Sequence, residues 1–177
     1  IYRLVAGYAR YYEEFEDVVS IFGPDNPTGI RNTLLKYLRE NGEVKTKVIQ
    51  KTAENGVRTT ESIPDRYIPK TENTYVIAIV DHLNILKTER GYNKKQNIDK
   101  LMEYMVEMSN FYKISPVLVQ QINRNVEHID RQKANSIDVM IGDFKETGDT
   151  TDAAHYIMAL NYPWRWEISN YRGYKTK

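Results

Sequence analysis

Tyr75-Val76-Ile77-Ala78-Ile79-Val80 is a continuous apolar run that ends on Asp81. A polar loop around Lys87-Thr88-Glu89-Arg90-Gly91 follows, then a stripe at helical spacing, Ile98, Leu101, Met102, Met105, Met108 and Phe111, then a second apolar run, Pro116-Val117-Leu118-Val119. A short β-branched run without polar alternation has the pattern of a strand buried on both faces. Strand, amphipathic helix and strand in that order make a parallel crossover unit. The spacing therefore predicts a crossover helix over about 95–112 between two neighbouring parallel strands, and Tyr156-Ile157-Met158-Ala159-Leu160 predicts another strand of the same sheet. Open α/β sheets place ligands at the C-terminal ends of their strands, which singles out Asp81 and Gln120-Gln121.

The residues before this unit divide into three pieces. Leu4, Val5, Tyr8, Tyr11, Tyr12 and Phe15 recur at three- and four-residue spacing and predict a one-faced helix, with the tyrosines as packing residues. Val18-Val19-Ser20-Ile21-Phe22 predicts a strand stopped by Gly23-Pro24-Asp25-Asn26-Pro27, after which Thr28 is positioned to cap a helix through Leu34, Leu35 and Leu38, ending near Asn41-Gly42. Residues 43–63 alternate and carry Asn55-Gly56, which predicts an inserted β-hairpin, and Pro64 and Pro69 mark a rigid connector behind it. With no repeat or second boundary, residues 1–177 read as one domain.

Composition removes several chemistries. The chain has no cysteine, which excludes disulfides, thiolate zinc sites and cysteine nucleophiles and fits a reducing interior. His82, His128 and His155 share no metal-ligand spacing. A net charge of +1 leaves any nucleic-acid contact to local clusters of Lys and Arg. No apolar stretch has the length of a membrane span and no signal-peptide pattern opens the chain, so a cytoplasmic location is expected. Ile1 stands directly inside the amphipathic pattern, as in a piece of a longer protein.

The candidate functional residues each have a plain reading and a chemical one. Asp81 at a strand end can hold Mg2+ or its water beside a nucleotide's phosphates, or simply cap the turn that follows. Gln121, after the next strand, can hydrogen-bond a γ-phosphate or an attacking water, or be a solvated strand end. The stretch from Asn123 to Asp143 is long and polar, with Arg124, Arg131 and Lys133 available for backbone phosphates of nucleic acid, while Glu127, Asp130 and Asp138 dilute that charge as in an ordinary surface loop. Trp164-Arg165-Trp166 has the composition of a stacking cluster and equally of a cover for a sheet edge. No Gly-x-x-x-x-Gly-Lys-Ser/Thr phosphate loop occurs, and the turn at Gly23 lacks its lysine.

Three segments in fixed order and spacing carry a resemblance. Ile79-Val80-Asp81-His82-Leu83-Asn84-Ile85-Leu86 resembles the Walker B strand of DnaB-like replicative DNA helicases. Val119-Gln120-Gln121-Ile122-Asn123-Arg124-Asn125-Val126-Glu127 is similar to that family's Ser-Gln-Leu-Asn-Arg-x-Val-Glu motif. Gly142-Asp143-Phe144-Lys145-Glu146-Thr147-Gly148 is similar to the Asp-Leu-Arg-Glu-Ser-Gly segment behind the family's DNA-binding loop. The resemblance covers residues 75–162, and Asn26-Pro27-Thr28-Gly29-Ile30 looks like the version in phage-encoded relatives. His82 in place of the usual Tyr, and Ala153-Ala154-His155 in place of Asp-Ala-Asp, are departures.

The resemblance implies an α/β fold, the RecA-like three-layer sandwich of P-loop NTPases with a mainly parallel sheet, here truncated. It implies ATP and Mg2+ as cofactors, single-stranded DNA and a homo-hexameric ring as partners, and ATP-driven translocation and unwinding as the activity. Asp81 takes the place of the magnesium-organising acid, His82 lies beside the nucleotide, and Gln121 is the sensor of the γ-phosphate. Arg124, Arg131, Lys133 and Lys145 become the DNA contacts, and Glu146 and Gly148 fall in the segment behind the loop. The Walker A loop and catalytic Glu of the family match no position here, and Arg165 and Arg172 do not inherit the arginine finger. Two other readings stand beside this one, a RecA-type recombinase ATPase that forms filaments and a non-catalytic DNA-binding or assembly module without a phosphate loop.

Overall fold

A computed structural model describes residues 22–52, 58–123, 128, 130–131 and 138–176, and of 145–149 only the backbone. The chain is a mixed α/β protein whose sheets among these residues are two-stranded. The predicted helix at 1–15 and all of the strand at 18–22 but Phe22 lie outside the described residues, and Phe22 itself is exposed and not in a strand.

Helix α1 spans Pro27–Asn41. Its cap is Asn26, whose side chain accepts from the Gly29 amide at 2.8 Å, and not Thr28. Pro27 explains the difference: proline has no amide hydrogen to lose and its fixed φ suits the first helical position, so the helix begins at Pro27 and the residue before it caps. A Cβ at Gly29 would meet the Asp25 carboxylate, which would have to turn aside.

Strands β1, Gly42–Thr52, and β2, Arg58–Pro69, pair antiparallel as the predicted hairpin, longer than expected, with the Asn55-Gly56 turn outside the described residues. Pro64 and Pro69 belong to β2 and form no connector. A two-stranded ribbon has only edge strands, where a missing amide is tolerated, and Pro64 pairs with Thr46 beside the register shift, a bulge site that suits proline. The ribbon meets the body through Val44 and the buried Tyr67.

Strand β3, Val76–Val80, pairs in parallel with β4, Ile114–Leu118, and helix α2, Lys94–Tyr112, makes the crossover between them as the spacing predicted. Helix α2 starts in a capping box between Asn93 and Gln96 and ends with Lys113 in the left-handed conformation. Ile98, Leu101, Met102, Met105 and Met108 are buried, with Phe111 partly so, and they pack with Leu35, Leu38, Tyr67, Ala78, Leu83 and Ile114 into one core. Burial of that stripe is the main favourable contribution to the unit, each large side chain adding on the order of 1.5–3 kcal/mol.

Two expectations about the sheet do not hold among the described residues. The β3 strand is covered on one face only: Ala78 is buried, whereas Ile77 and Ile79 are 63% and 66% exposed. The run Tyr156–Leu160 forms no strand and lies exposed. Apolar character drives a run toward burial but does not supply the backbone partner that a strand needs, and no described strand offers one here. The parallel pairing predicted for the whole sheet is thus limited to β3 and β4, and the other two pairs, β1 with β2 and Asn170–Tyr171 with Tyr174–Lys175, are antiparallel. Among the described residues no helix is long and apolar enough to cross a membrane.

Candidate nucleotide and loop-coupling site

Parallel pairing of β3 and β4 brings their C-terminal ends side by side. The Val119 amide donates to the Val80 carbonyl at 3.0 Å, and the Leu83 amide donates to the Val119 carbonyl at 3.0 Å. Asp81 therefore leaves β3 next to the point where Gln120 and Gln121 leave β4. Leu83 begins a short 3-10 turn, Leu83–Ile85, and its buried side chain anchors that turn to the core. His82 caps the turn, its Nδ1 accepting from the Asn84 amide at 3.2 Å. Asn84 in turn donates from Nδ2 to Oε1 of Gln121 at 2.9 Å, so the two strand exits are joined through side chains as well as backbone.

The Asp81 carboxylate is exposed and makes no hydrogen bond or ion pair among the described residues. A single solvent-facing carboxylate at a strand end fits the usual protein share of a Mg2+ site, where one or two acids act together with waters and substrate phosphates. It does not make an all-protein metal site, and the described residues contain no cluster of three or more metal-ligating side chains. His128 is exposed beside Asp130 at 3.3 Å, and His155 is exposed in a bend.

The loop expected between Asn123 and Asp143 is closed at its base, where the Asn123 amide donates to the Asp143 carbonyl at 3.0 Å. Arg131 turns inward. Its Nη1 meets Asp143 at 2.7 Å and its Nη2 donates to the Asp138 carbonyl at 2.6 Å. Asp143 is buried and also accepts from the Met140 amide at 2.7 Å. Burial alone would raise its pKa, but the Arg131 hydrogen bond, the Met140 amide and the attraction of the guanidinium outweigh it and hold the carboxyl below its usual range. Arg172 of the C-terminal hairpin adds an exposed contact to the Asp138 carboxylate at 2.6 Å. In this arrangement Arg131, expected at the DNA backbone, is engaged by Asp143 and the Asp138 carbonyl. Arg124 and Lys133 lie outside the described residues, and Lys145 is described by its backbone alone, in the 3-10 segment Ile141–Thr147. Trp164 and Trp166 are half-buried in the 3-10 turn Pro163–Trp166, with Arg165 exposed between them.

The contacts of two residues are not legible in the sequence. Gln120, which the sequence places at the strand end beside Gln121, bonds the segment behind the loop, donating to the Phe144 carbonyl at 3.3 Å and accepting from Thr150 at 3.0 Å. Glu89, read as loop, is the other. Its Oε1 accepts from the Thr28 amide at 2.8 Å and its Oε2 from Lys100 at 2.5 Å, while its own amide donates to the buried Asn97. No protein-family model, curated protein or solved structure matches this chain.

Proposed function

We propose that the chain is part of the ATPase core of an ATP-dependent, DnaB-like replicative DNA helicase, with a RecA-like fold in the whole protein. The observation that carries the reading is the adjacency of the Asp81 and Gln121 strand exits at one parallel sheet edge, in the order and spacing of the three motif-like segments. Asp81 is the residue of this chain that would hold Mg2+, and Gln121 the one that would meet the γ-phosphate, with His82 fixing the turn between them. When bound, Mg2+ with ATP supplies a polarised phosphoryl group whose developing charge is neutralised during attack by water. This chain's own residues orient and hold; the sequence carries no phosphate-cradling loop, so that part of the nucleotide site is not assigned to any residue here.

Single-stranded DNA is the proposed partner, held through its backbone by cations of the 123–143 loop, with little sequence preference and a strong fall in affinity with salt. A hexameric ring belongs to the same reading. The missing Gly-x-x-x-x-Gly-Lys-Ser/Thr motif favours a second reading, a DNA-binding or assembly module that does not hydrolyse ATP. ATP hydrolysis by the full-length protein as its gene encodes it, with and without single-stranded DNA, separates the two. The helicase reading expects stimulated hydrolysis that loses its DNA response in Gln121→Ala. DNA binding without hydrolysis would leave the binding module.

A further inference from the structure

Gln120 and Gln121 are neighbours on the β4 exit, yet their side chains bond different segments. Gln121 faces the β3 exit through Asn84 at 2.9 Å. Gln120 faces the segment 141–152, using both ends of its amide: Nε2 donates to the Phe144 carbonyl at 3.3 Å, and Oε1 accepts from Thr150 Oγ1 at 3.0 Å. Because one end must donate and the other accept, the amide has a single orientation that satisfies both partners. Gln120 is half-buried and Thr150 is buried, so a broken bond there is not simply replaced by water. Three residues on, the Asn123 amide holds the Asp143 carbonyl at 3.0 Å. Both ends of the 123–143 loop are thereby fixed to the same strand exit, one directly and one through Gln120.

We propose that Gln120 is a positioning residue that ties the segment behind the loop to β4, so that a change at the Asp81 and Gln121 edge is passed to the loop that meets DNA. The proposal rests on the nucleotide and DNA reading above. The Gln121 carbonyl is engaged by Asn84 of the β3 exit, and the contacts to 144 and 150 are made by Gln120. Gln120 touches neither nucleotide nor DNA in this scheme, so its loss acts on the coupling between them and leaves the chemistry at Asp81 in place.

The test is ATP hydrolysis by the full-length protein with and without poly-dT, for the wild type, Gln120→Leu, Thr150→Val and Thr150→Ser. Thr150→Val keeps the shape and removes only the hydroxyl, whereas Thr150→Ser retains it. Gln120→Leu and Thr150→Val are expected to keep basal hydrolysis and to lose about 2- to 30-fold of the poly-dT stimulation, the span of single-residue changes in coupling. Thr150→Ser is expected to retain the stimulation. Amide hydrogen exchange on the same proteins is expected to rise in 141–152 while 94–112 stays protected. Wild-type stimulation in both Gln120→Leu and Thr150→Val overturns the proposal and leaves the function above standing. Equal loss of basal and stimulated rates, with exchange rising throughout, overturns it in favour of a general structural role. A wild type that hydrolyses no ATP overturns both.

Discussion

The connection leaving β3 and the connection leaving β4 start one hydrogen bond apart, yet they are held in different ways. The first, residues 81–93, is fastened to both core helices: Glu89 bonds the Thr28 amide at the start of α1 and Lys100 on α2, and its amide bonds the buried Asn97 of α2. The second, from Val119 to Asp152, carries bonds within itself among its described residues, Arg131 with Asp143, Asn123 with Asp143, and Gln120 with Phe144 and Thr150, and its 141–152 segment also lies against α2. The β3 exit inserts Leu83 into the core, whereas Met140 and Ile141 of the second connection are 54% and 70% exposed. A connection tied to the core holds a residue such as Asp81 in place. In the second connection the Arg131–Asp143 pair and the Asn123–Asp143 bond hold the two ends of the loop together.

The largest expected effect lies beneath both connections. Leu101→Ala removes a fully buried side chain from the stripe on α2 and is expected to cost about 2–5 kcal/mol in denaturant unfolding. A loss well under that range would mean that the core does not carry the crossover unit. Glu89→Gln comes next, as a change that makes the first connection resemble the second. The Lys100 hydrogen bond and the bond from Thr28 hold the Glu89 carboxyl below its usual range, against an upward push from burial. A depressed carboxyl contributes stability that is fully present above the unfolded-state pKa of about 4.3 and is lost as pH falls through the lower folded value. Thermal unfolding of the wild type should therefore be insensitive to this group at neutral pH and weaken below about pH 4. Glu89→Gln should start less stable and lose less on acidification, and an unchanged acid profile would count against the clamp.

Asp143→Asn sharpens the comparison from the other side. It weakens the Arg131 contact and should cost about 1–2 kcal/mol locally, seen as faster exchange in 138–152 with α2 unaffected. A rise in exchange across α2 as well would show that the second connection is as firmly joined to the core as the first. The smallest effect belongs to the exposed run at 156–160. Met158→Ala, at a side chain 87% exposed, should change stability by no more than about 0.5 kcal/mol. A core-sized loss would show that the run is buried in solution.

The parts legible in the sequence were those written in local periodicity. The stripe on α2, the parallel run into Asp81 and the β1–β2 hairpin were readable because spacing alone determines a helix face or a strand, and the strand-helix-strand order determines a crossover. The sequence points to Thr28 as the cap of α1 because Asn26 and Thr28 both have capping side chains, and only the preference of Pro27 for the first helical position separates them. Residues 156–160 carry an apolar pattern suited to a strand, but a strand also requires a partner, which local pattern does not encode. Arg131 with Asp143, Glu89 with Thr28 and Gln120 with Thr150 join residues 12, 61 and 30 positions apart, so no window of sequence reveals them. Asp81 and Gln121 were legible as strand-end residues, and their adjacency followed once β3 and β4 were read as neighbours.

The most direct test of the account is steady-state ATP hydrolysis by the full-length protein with Mg2+ and poly-dT, comparing wild type with Asp81→Ala. The exposed position of Asp81 makes its removal nearly neutral for folding, so the rate reports on chemistry. The account predicts DNA-stimulated hydrolysis in the wild type and a fall of about 100-fold or more in the variant, with unfolding temperature unchanged. Hydrolysis that is indifferent to Asp81→Ala, or absent from the wild type, would contradict it.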